Sequence, residues 1–263
     1  MQRFIGFRPL ASRRFDLVLF DLGNTLIYFD GDWGVVLPRC YRVLANSLVE
    51  AGLELQPHLF AEEFGRRVIA AWENRSASNI EHTVEFILRQ ALHDFGVQDA
   101  PSAHLRPAID AMFAVSQAHW RVEDDALAML EQLRQAGYAL GMISNASDNQ
   151  DVQMLVDKAG VRDYFDQIIV SAAVGIRKPD PYIFRLALDH FGAAAERAVM
   201  IGDTLSADVL GAHNSGMSSV WITRRAGNPD NHAHRELITP HAAIYALDEL
   251  PGLLANWQDG APR

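Results

Sequence analysis

The chain has 263 residues, 49% hydrophobic and 21% charged, the balance of a globular protein with one large domain or two unequal ones. Its 23 basic and 33 acidic residues leave a net charge of −10, which argues against a nucleic-acid partner, because phosphate affinity comes from clustered Lys and Arg. One cysteine, Cys40, precludes an internal disulfide and suggests a reducing, cytoplasmic setting. No stretch approaches the ~18 apolar residues of a membrane span, so no membrane partner is expected.

Met1 to Arg14 carries four arginines and no acid. It lacks the apolar run of a secretory signal. Residues 1–15 are expected to be a loose tail, with a short organelle-targeting leader as the alternative. Asp16 to Phe20 is an apolar run that breaks into Gly23 and Asn24, which predicts a buried strand and a turn. Tyr28 to Gly34 reads as a turn-rich hinge. From about 35 to 118 apolar residues recur at helical spacing, as in Val43, Leu44 and Leu48, and no strand pattern intervenes. From about 122 onward, strands alternate with helices: helix 124–135, strand 138–143, a helix to Lys158, strand 168–171, helix 181–191, strand 199–201, helix 206–215, strand 219–223, strand 242–245 and helix 247–257. That alternation predicts βαβ units and a parallel sheet. The first strand must join the same sheet, since alone it could bury nothing. The expected architecture is α/β, a Rossmann-like core formed by residues 16–29 and 119–263, with an all-helical domain inserted at 30–118.

Ligands of an open parallel sheet bind outside the carboxyl ends of its strands. There the first strand ends in Asp21, with Thr25 four residues on, and the second in Ser144-Asn145. The third is followed by Arg177-Lys178-Pro179, and the fourth ends in Gly202-Asp203, with Asp208 opening the next helix. Three carboxylates, a hydroxyl and a lysine would converge on one edge. Such a set offers hard oxygen ligands for Mg²⁺ and a donor and a cation for phosphoryl oxygens. Asp21 would be the nucleophile, since a carboxylate can attack phosphorus and form an acyl-phosphate. Lys178 stands out because the chain has 21 arginines and only one other lysine, Lys158. A compact, movable charge is not interchangeable with a planar guanidinium.

Phe20-Asp-Leu-Gly-Asn-Thr-Leu26, Ile143-Ser-Asn145, Gly175-Ile-Arg-Lys-Pro-Asp-Pro181 and Ile201-Gly-Asp-Thr-Leu-Ser-Ala-Asp208 resemble, in order, the four motifs of the haloacid dehalogenase superfamily. They are most similar to its subfamily I, in which a helical cap follows the first motif. The resemblance covers residues 16–257. It implies a Mg²⁺-dependent hydrolase of a small phosphorylated substrate. Asp21 would be the aspartyl nucleophile, Thr25 would orient the first loop and contact substrate, and Ser144 and Asn145 would bind and place it. Lys178 would restrain Asp21 and offset transition-state charge. Asp21, the Gly23 carbonyl, Asp203 and Asp208 would serve the metal.

Phosphatases of that superfamily usually carry a second Asp two residues after the first, as the general acid. Here that position is Gly23. General acid–base assistance is typically worth 10²–10⁴-fold, about 3–5 kcal/mol. The expected function is therefore a phosphatase without its usual acid, acting on a good leaving group or with acid help from the cap or substrate. A catalytically weak or inactive protein used for binding or regulation is an alternative, as is another chemistry of the superfamily, such as dehalogenation. Dehalogenases of this superfamily need no metal and lack the Gly-Asp-x4-Asp pattern. Phosphonoacetaldehyde hydrolases use a cap lysine, and residues 30–121 contain none. Phosphomutases depend on the missing acid.

Among the other candidates, Asp30 and Asp32 are expected in a hinge turn and His232 and His234 in a solvated loop. Cys40 is expected to be an ordinary helix cysteine, although Arg39 and Arg42 beside it could lower its pKa. Those two arginines are expected in solvent. Trp33 and Tyr28 belong either to a packed hinge or to the wall of the substrate pocket.

Overall fold

The computed structural model describes residues 13–74 and 78–257. Most of the expected N-terminal tail, residues 1–12, lies outside them. The last three residues assigned to that tail are anchored. Arg13 donates to the carbonyls of Ala136 and Gly137 at 2.9 and 2.8 Å, and Phe15 is fully buried, edge-on to Trp257.

Six parallel strands form the main sheet: β1 (Leu17–Phe20), β4 (Ala139–Ser144), β5 (Gln167–Val170), β6 (Ala198–Gly202), β7 (Ser218–Ile222) and β8 (Ala242–Ile244), in the spatial order β5-β4-β1-β6-β7-β8. β1, β4 and β6 are buried along their whole length. This explains their continuous apolar runs, as in any sheet covered on both faces. Leu17 and Leu19 point to one face and Val18 and Phe20 to the other, each face packing into its own apolar core. After β1 the chain builds outward on one side through β4 and β5, then returns to build β6, β7 and β8 on the other. β1 therefore lies at the topological switch, where such sheets open a crevice at their carboxyl edge.

The helices α5 (Ala126–Gln135), α6 (Asn149–Ala159), α7 (Ser171–Val174), α8 (Pro181–Phe191), α9 (Leu210–Asn214), α10 (Pro229–His234) and α11 (Leu250–Ala255) accompany the sheet. Caps set their ends. Asp148 and Asp180 accept from the backbone N–H of Asp151 and Tyr182, each at 2.9 Å, and Pro181 opens α8 at a position that needs no donor.

Between β2 (Ile27–Phe29) and β3 (Trp120–Val122) lie four helices, α1 (Trp33–Glu50), α2 (Pro57–Glu73), α3 (Val84–Asp94) and α4 (Ser102–Gln117), around their own apolar core. Two features depart from expectation here. The segment read as a turn-rich hinge forms β2, which pairs antiparallel with β3, and α1 already begins at Trp33, capped by Asp32, which accepts from Gly34 N at 2.7 Å. The nominally all-helical stretch also contains a short extended contact, Ile80 bridging Ile176. It is reinforced by Glu81 N donating to Gly175 O and Arg177 N to Asn79 O, both at 2.9 Å. The helical layer is thus hydrogen-bonded to the carboxyl edge of the sheet. Among the described residues no helix is long and apolar enough to cross a membrane.

Candidate active site

Four strand ends deliver the polar residues. Asp21 follows β1, and its N–H donates to Ile201 O at 2.9 Å, which ties the loop to β6. That loop turns through Asn24, which holds a left-handed φ of 59°, a conformation Asn tolerates better than most residues. Thr25, fully buried, directs its hydroxyl at Asp21 Oδ2, 3.4 Å away. Ser144 closes β4 and is buried beside the cleft.

Lys178 lies at the centre. Its ammonium has three protons and three partners, donating to Asp21 Oδ1, Asp208 Oδ1 and Ile143 O, each at 2.7 Å. Burial works against the charge, but Asp208 and Asp21 outweigh it and raise the lysine pKa. Its main chain is clamped by Asn145, whose Nδ2 donates to Lys178 O and whose Oδ1 accepts from Lys178 N, both at 2.9 Å. Asn145 lines the cleft, but its amide is spent on placing the lysine.

Asp21, Asp203 and Asp208 bring carboxylate oxygens within 4.8 Å of one another. Burial, and then repulsion from Asp21 and Asp208, raise the Asp203 pKa well above the carboxylate range. Burial also raises Asp208, to about 6, against the pull of Lys178. Three buried acids facing a single ammonium form a site short of positive charge, lined by hard oxygens, which suits a divalent cation such as Mg²⁺. Asp208 is itself anchored twice, by Lys178 and by Thr204 N at 2.9 Å. A Cβ at Gly202 would sit 2.2 Å from its Cγ, so only glycine leaves room for that carboxylate.

Several residues enter that the local sequence did not mark. Asp203 O accepts from Trp221 Nε1 at 2.8 Å and from Asn231 Nδ2 at 2.7 Å, and Asn231 Oδ1 accepts from Leu205 N at 2.7 Å. Asn231 belongs to α10, where a solvated loop was expected. His232 is exposed, but Asn231 is buried and His234 lines the cleft. The correction has a physical reason. Asn228 caps this short helix by accepting from Asn231 N at 2.9 Å, and the helix is held by Ser206 donating to Asp230 at 2.6 Å.

The cleft measures about 750 Å³ and runs from these strand ends to a wall of Trp120, Asp151, Val152 and Leu155. Gly23 faces that wall, and a Cβ there would meet the Trp120 ring at 3.5 Å, an ordinary contact. Trp33 and Tyr28 do not line the cleft. Trp33 stacks on Phe29 at 3.5 Å, and Arg225 lies 3.7 Å over the Tyr28 ring, so both belong to the hinge. Arg39 and Arg42 are exposed, whereas Cys40 is buried, and burial pushes its thiol up to about 11 despite Arg39 nearby.

Comparison with known proteins agrees with this geometry. The chain is 33% identical over 186 residues to the phosphoserine phosphatase of Thermus thermophilus, covering 68% of this chain and 73% of that one. A solved phosphatase from Thermococcus onnurineus superposes with a TM-score of 0.63 at 27% identity, over 91% of this chain and 97% of the other. A 2-haloacid dehalogenase from Pseudomonas syringae superposes with a TM-score of 0.64 at 26% identity, over 93% and 100%. A family model for haloacid dehalogenase-like hydrolases matches residues 15–216, and the chain belongs to that family.

Proposed function

We infer that the protein is a Mg²⁺-dependent phosphomonoester hydrolase that acts on a small phosphorylated metabolite through an aspartyl-phosphate on Asp21. The observation that carries this reading is the cluster of Asp21, Asp203 and Asp208 against the single cation Lys178. A metal-free dehalogenase has no use for two further buried acids, whose mutual repulsion is costly without a counter-ion. Asp21, Asp203 and the Gly23 carbonyl would hold the ion, which supplies charge neutralisation to the phosphoryl oxygens. Asp208 fixes Lys178 and the Thr204 turn beside it.

The chain's own residues do the rest. Lys178 holds Asp21 in position and leaves its second oxygen, near Thr25, to face the substrate. Ser144 offers a hydroxyl to the phosphoryl group from the end of β4. The helices of residues 30–118 act as a cap over the cleft, excluding water while the acyl-phosphate forms. Names of the relatives, phosphoserine phosphatase among them, support a small phosphate ester as substrate.

The test is p-nitrophenyl phosphate hydrolysis with and without Mg²⁺, with Asp21→Asn as the blank. Turnover should require the metal, vanish in EDTA, return when Mg²⁺ is restored, and be absent from Asp21→Asn. Turnover that survives both chelation and Asp21→Asn would overturn the reading.

A further inference from the structure

Gly23 leaves the site without a side chain two residues after the nucleophile, so protonation of a leaving group must come from elsewhere in the cleft. Outside the cluster around Lys178, three carboxyl or imidazole groups among the described residues line it: Asp151, Asp230 and His234. Asp230 and His234 are engaged with each other and with Ser206 on the core side. His234 Nδ1 contacts Asp230 O at 2.8 Å and Asp230 Oδ1 at 3.4 Å, and Ser206 bonds Asp230 Oδ2 at 2.6 Å. Asp151 lines the same cleft from α6, which packs against β3, the strand carrying Trp120, whose ring a side chain at residue 23 would meet.

We propose that Asp151 is the general acid–base of this enzyme, supplying from the first turn of α6 the proton that residue 23 cannot. This rests on the phosphatase reading above. The carboxyl is oriented: Gln117 Nε2 of α4 donates to its Oδ1 at 2.8 Å, and Oδ2 has no hydrogen-bond partner among the described residues. Its backbone is pinned by the cap residue Asp148. The groups that face it favour the protonated form. Burial pushes Asp151 up to about 7, Asp148 adds like charge, and only the Gln117 bond and Arg106 of α4 oppose them. Arg106 is mostly spent on Asp148 and Asp110, at 2.7 and 2.6 Å, and the neighbouring Cys40 thiol of α1 is neutral near pH 7. A proton donor with a pKa near the working pH both holds and releases its proton.

The chemistry balances. An Asp21 oxygen bonds to phosphorus as the phosphorus–oxygen bond to the leaving group breaks. The electron pair goes to the leaving oxygen, which takes the proton from Asp151 Oδ2. Water then attacks phosphorus and gives one proton to the Asp151 carboxylate. The bond to Asp21 breaks with its pair returning to that carboxylate, and phosphate departs with Asp151 protonated again.

The experiment compares two substrates of similar shape on Asp151→Asn and wild type. p-Nitrophenolate leaves without a proton, whereas phenol, with a pKa of about 10 like the tyrosine side chain, needs one. The wild type should hydrolyse both p-nitrophenyl and phenyl phosphate. Because water activation by Asp151 follows departure of either leaving group, kcat should fall for both substrates in Asp151→Asn, whereas kcat/KM, which reports the steps up to that departure, should fall about 10²-fold more for phenyl phosphate than for p-nitrophenyl phosphate. The alkaline fall of the wild-type phenyl phosphate profile near pH 7 should be absent from the variant. A burst of p-nitrophenolate equal to the enzyme concentration, released before the slowed hydrolysis of the aspartyl-phosphate, shows that the variant is folded. Equal losses of kcat/KM on the two substrates, a leaving-group-dependent loss of kcat/KM in His234→Gln instead, or a wild type unable to hydrolyse phenyl phosphate would each overturn the assignment. No metal-dependent turnover of p-nitrophenyl phosphate by wild type would instead sink the phosphatase reading.

Discussion

Lys178 is buried because its three protons meet three acceptors and its charge meets two carboxylates. Removing any of these acceptors would leave a buried ammonium proton without a partner. The same crowding makes Gly202 a sharp probe. Gly202→Ala would drive a methyl into the Asp208 carboxylate and displace the residue that holds both Lys178 and the Thr204 turn. Activity should fall by about 100-fold, the usual penalty for a misplacement of about 1 Å, with stability lowered by roughly 1–3 kcal/mol. Activity within twofold of wild type would show that Asp208 has slack. Asp21, Ser144, Lys178, Asp203 and Asp208 could be placed on one edge from sequence, because each follows a strand and strand ends share an edge. Asn145, Asp151 and Asn231 could not be assigned their contacts. Asn145 pairs with a residue 33 positions away, Asp151 with one 34 away and Asn231 with one 28 away. An Asn or Asp opening a helix reads as a cap whether or not it does anything more.

At the scale of elements, the starts of β1 and β6 are tied by Asp16 and Arg197, with Arg197 Nη2 donating to Asp16 Oδ1 at 2.7 Å and Nε bonding the other oxygen. The Arg197 bond holds the Asp16 carboxyl below its ordinary 3.8. A depressed folded pKa stabilises the fold above the unfolded value, and the gain is lost as pH falls through the folded one. A double-mutant cycle on Asp16→Asn and Arg197→Gln should therefore give a coupling of about 0.5–1 kcal/mol at pH 7, reduced by solvent screening. It should shrink toward zero as pH falls below 3.8 and through the lowered folded value. Coupling independent of pH would contradict the ion pair. The long elements were legible because their apolar periodicity runs over many residues, as in α8, whose expected and observed limits coincide. The β2–β3 ribbon was not. Its strands have three residues each, lie about 90 positions apart and adjoin the turn residues Asp30 and Gly31. What stabilises them is the aromatic group of Phe29, Trp33 and Trp120, a tertiary effect.

The whole molecule places Asp21, the proposed nucleophile, at the switch point of a parallel sheet and lays four helices across that edge. These helices are not loosely tethered. Arg106 of α4 bonds Asp148 of the core at 2.7 Å, Ser171 of the core donates to Glu81 at 2.7 Å, and Val84 N donates to Ser147 O at 2.9 Å. All three contacts fall beside the segments that carry Ser144, Asn145 and Lys178, so docking of the helices and alignment of these residues share the same hydrogen bonds. The parallel sheet followed from the alternation of strands and helices, but the docking of the helices did not, since it is made by single residues scattered through loops. The central claim is covalent catalysis by Asp21. It is tested most directly by mixing enzyme, Mg²⁺ and a phosphatase substrate, quenching in acid within the first turnover and weighing the peptide that contains residue 21. The account predicts one phosphoryl group on Asp21, released by hydroxylamine and missing from Asp21→Asn. Steady turnover with Asp21 unmodified at every quench time, and phosphate formed as fast by Asp21→Asn, would contradict it.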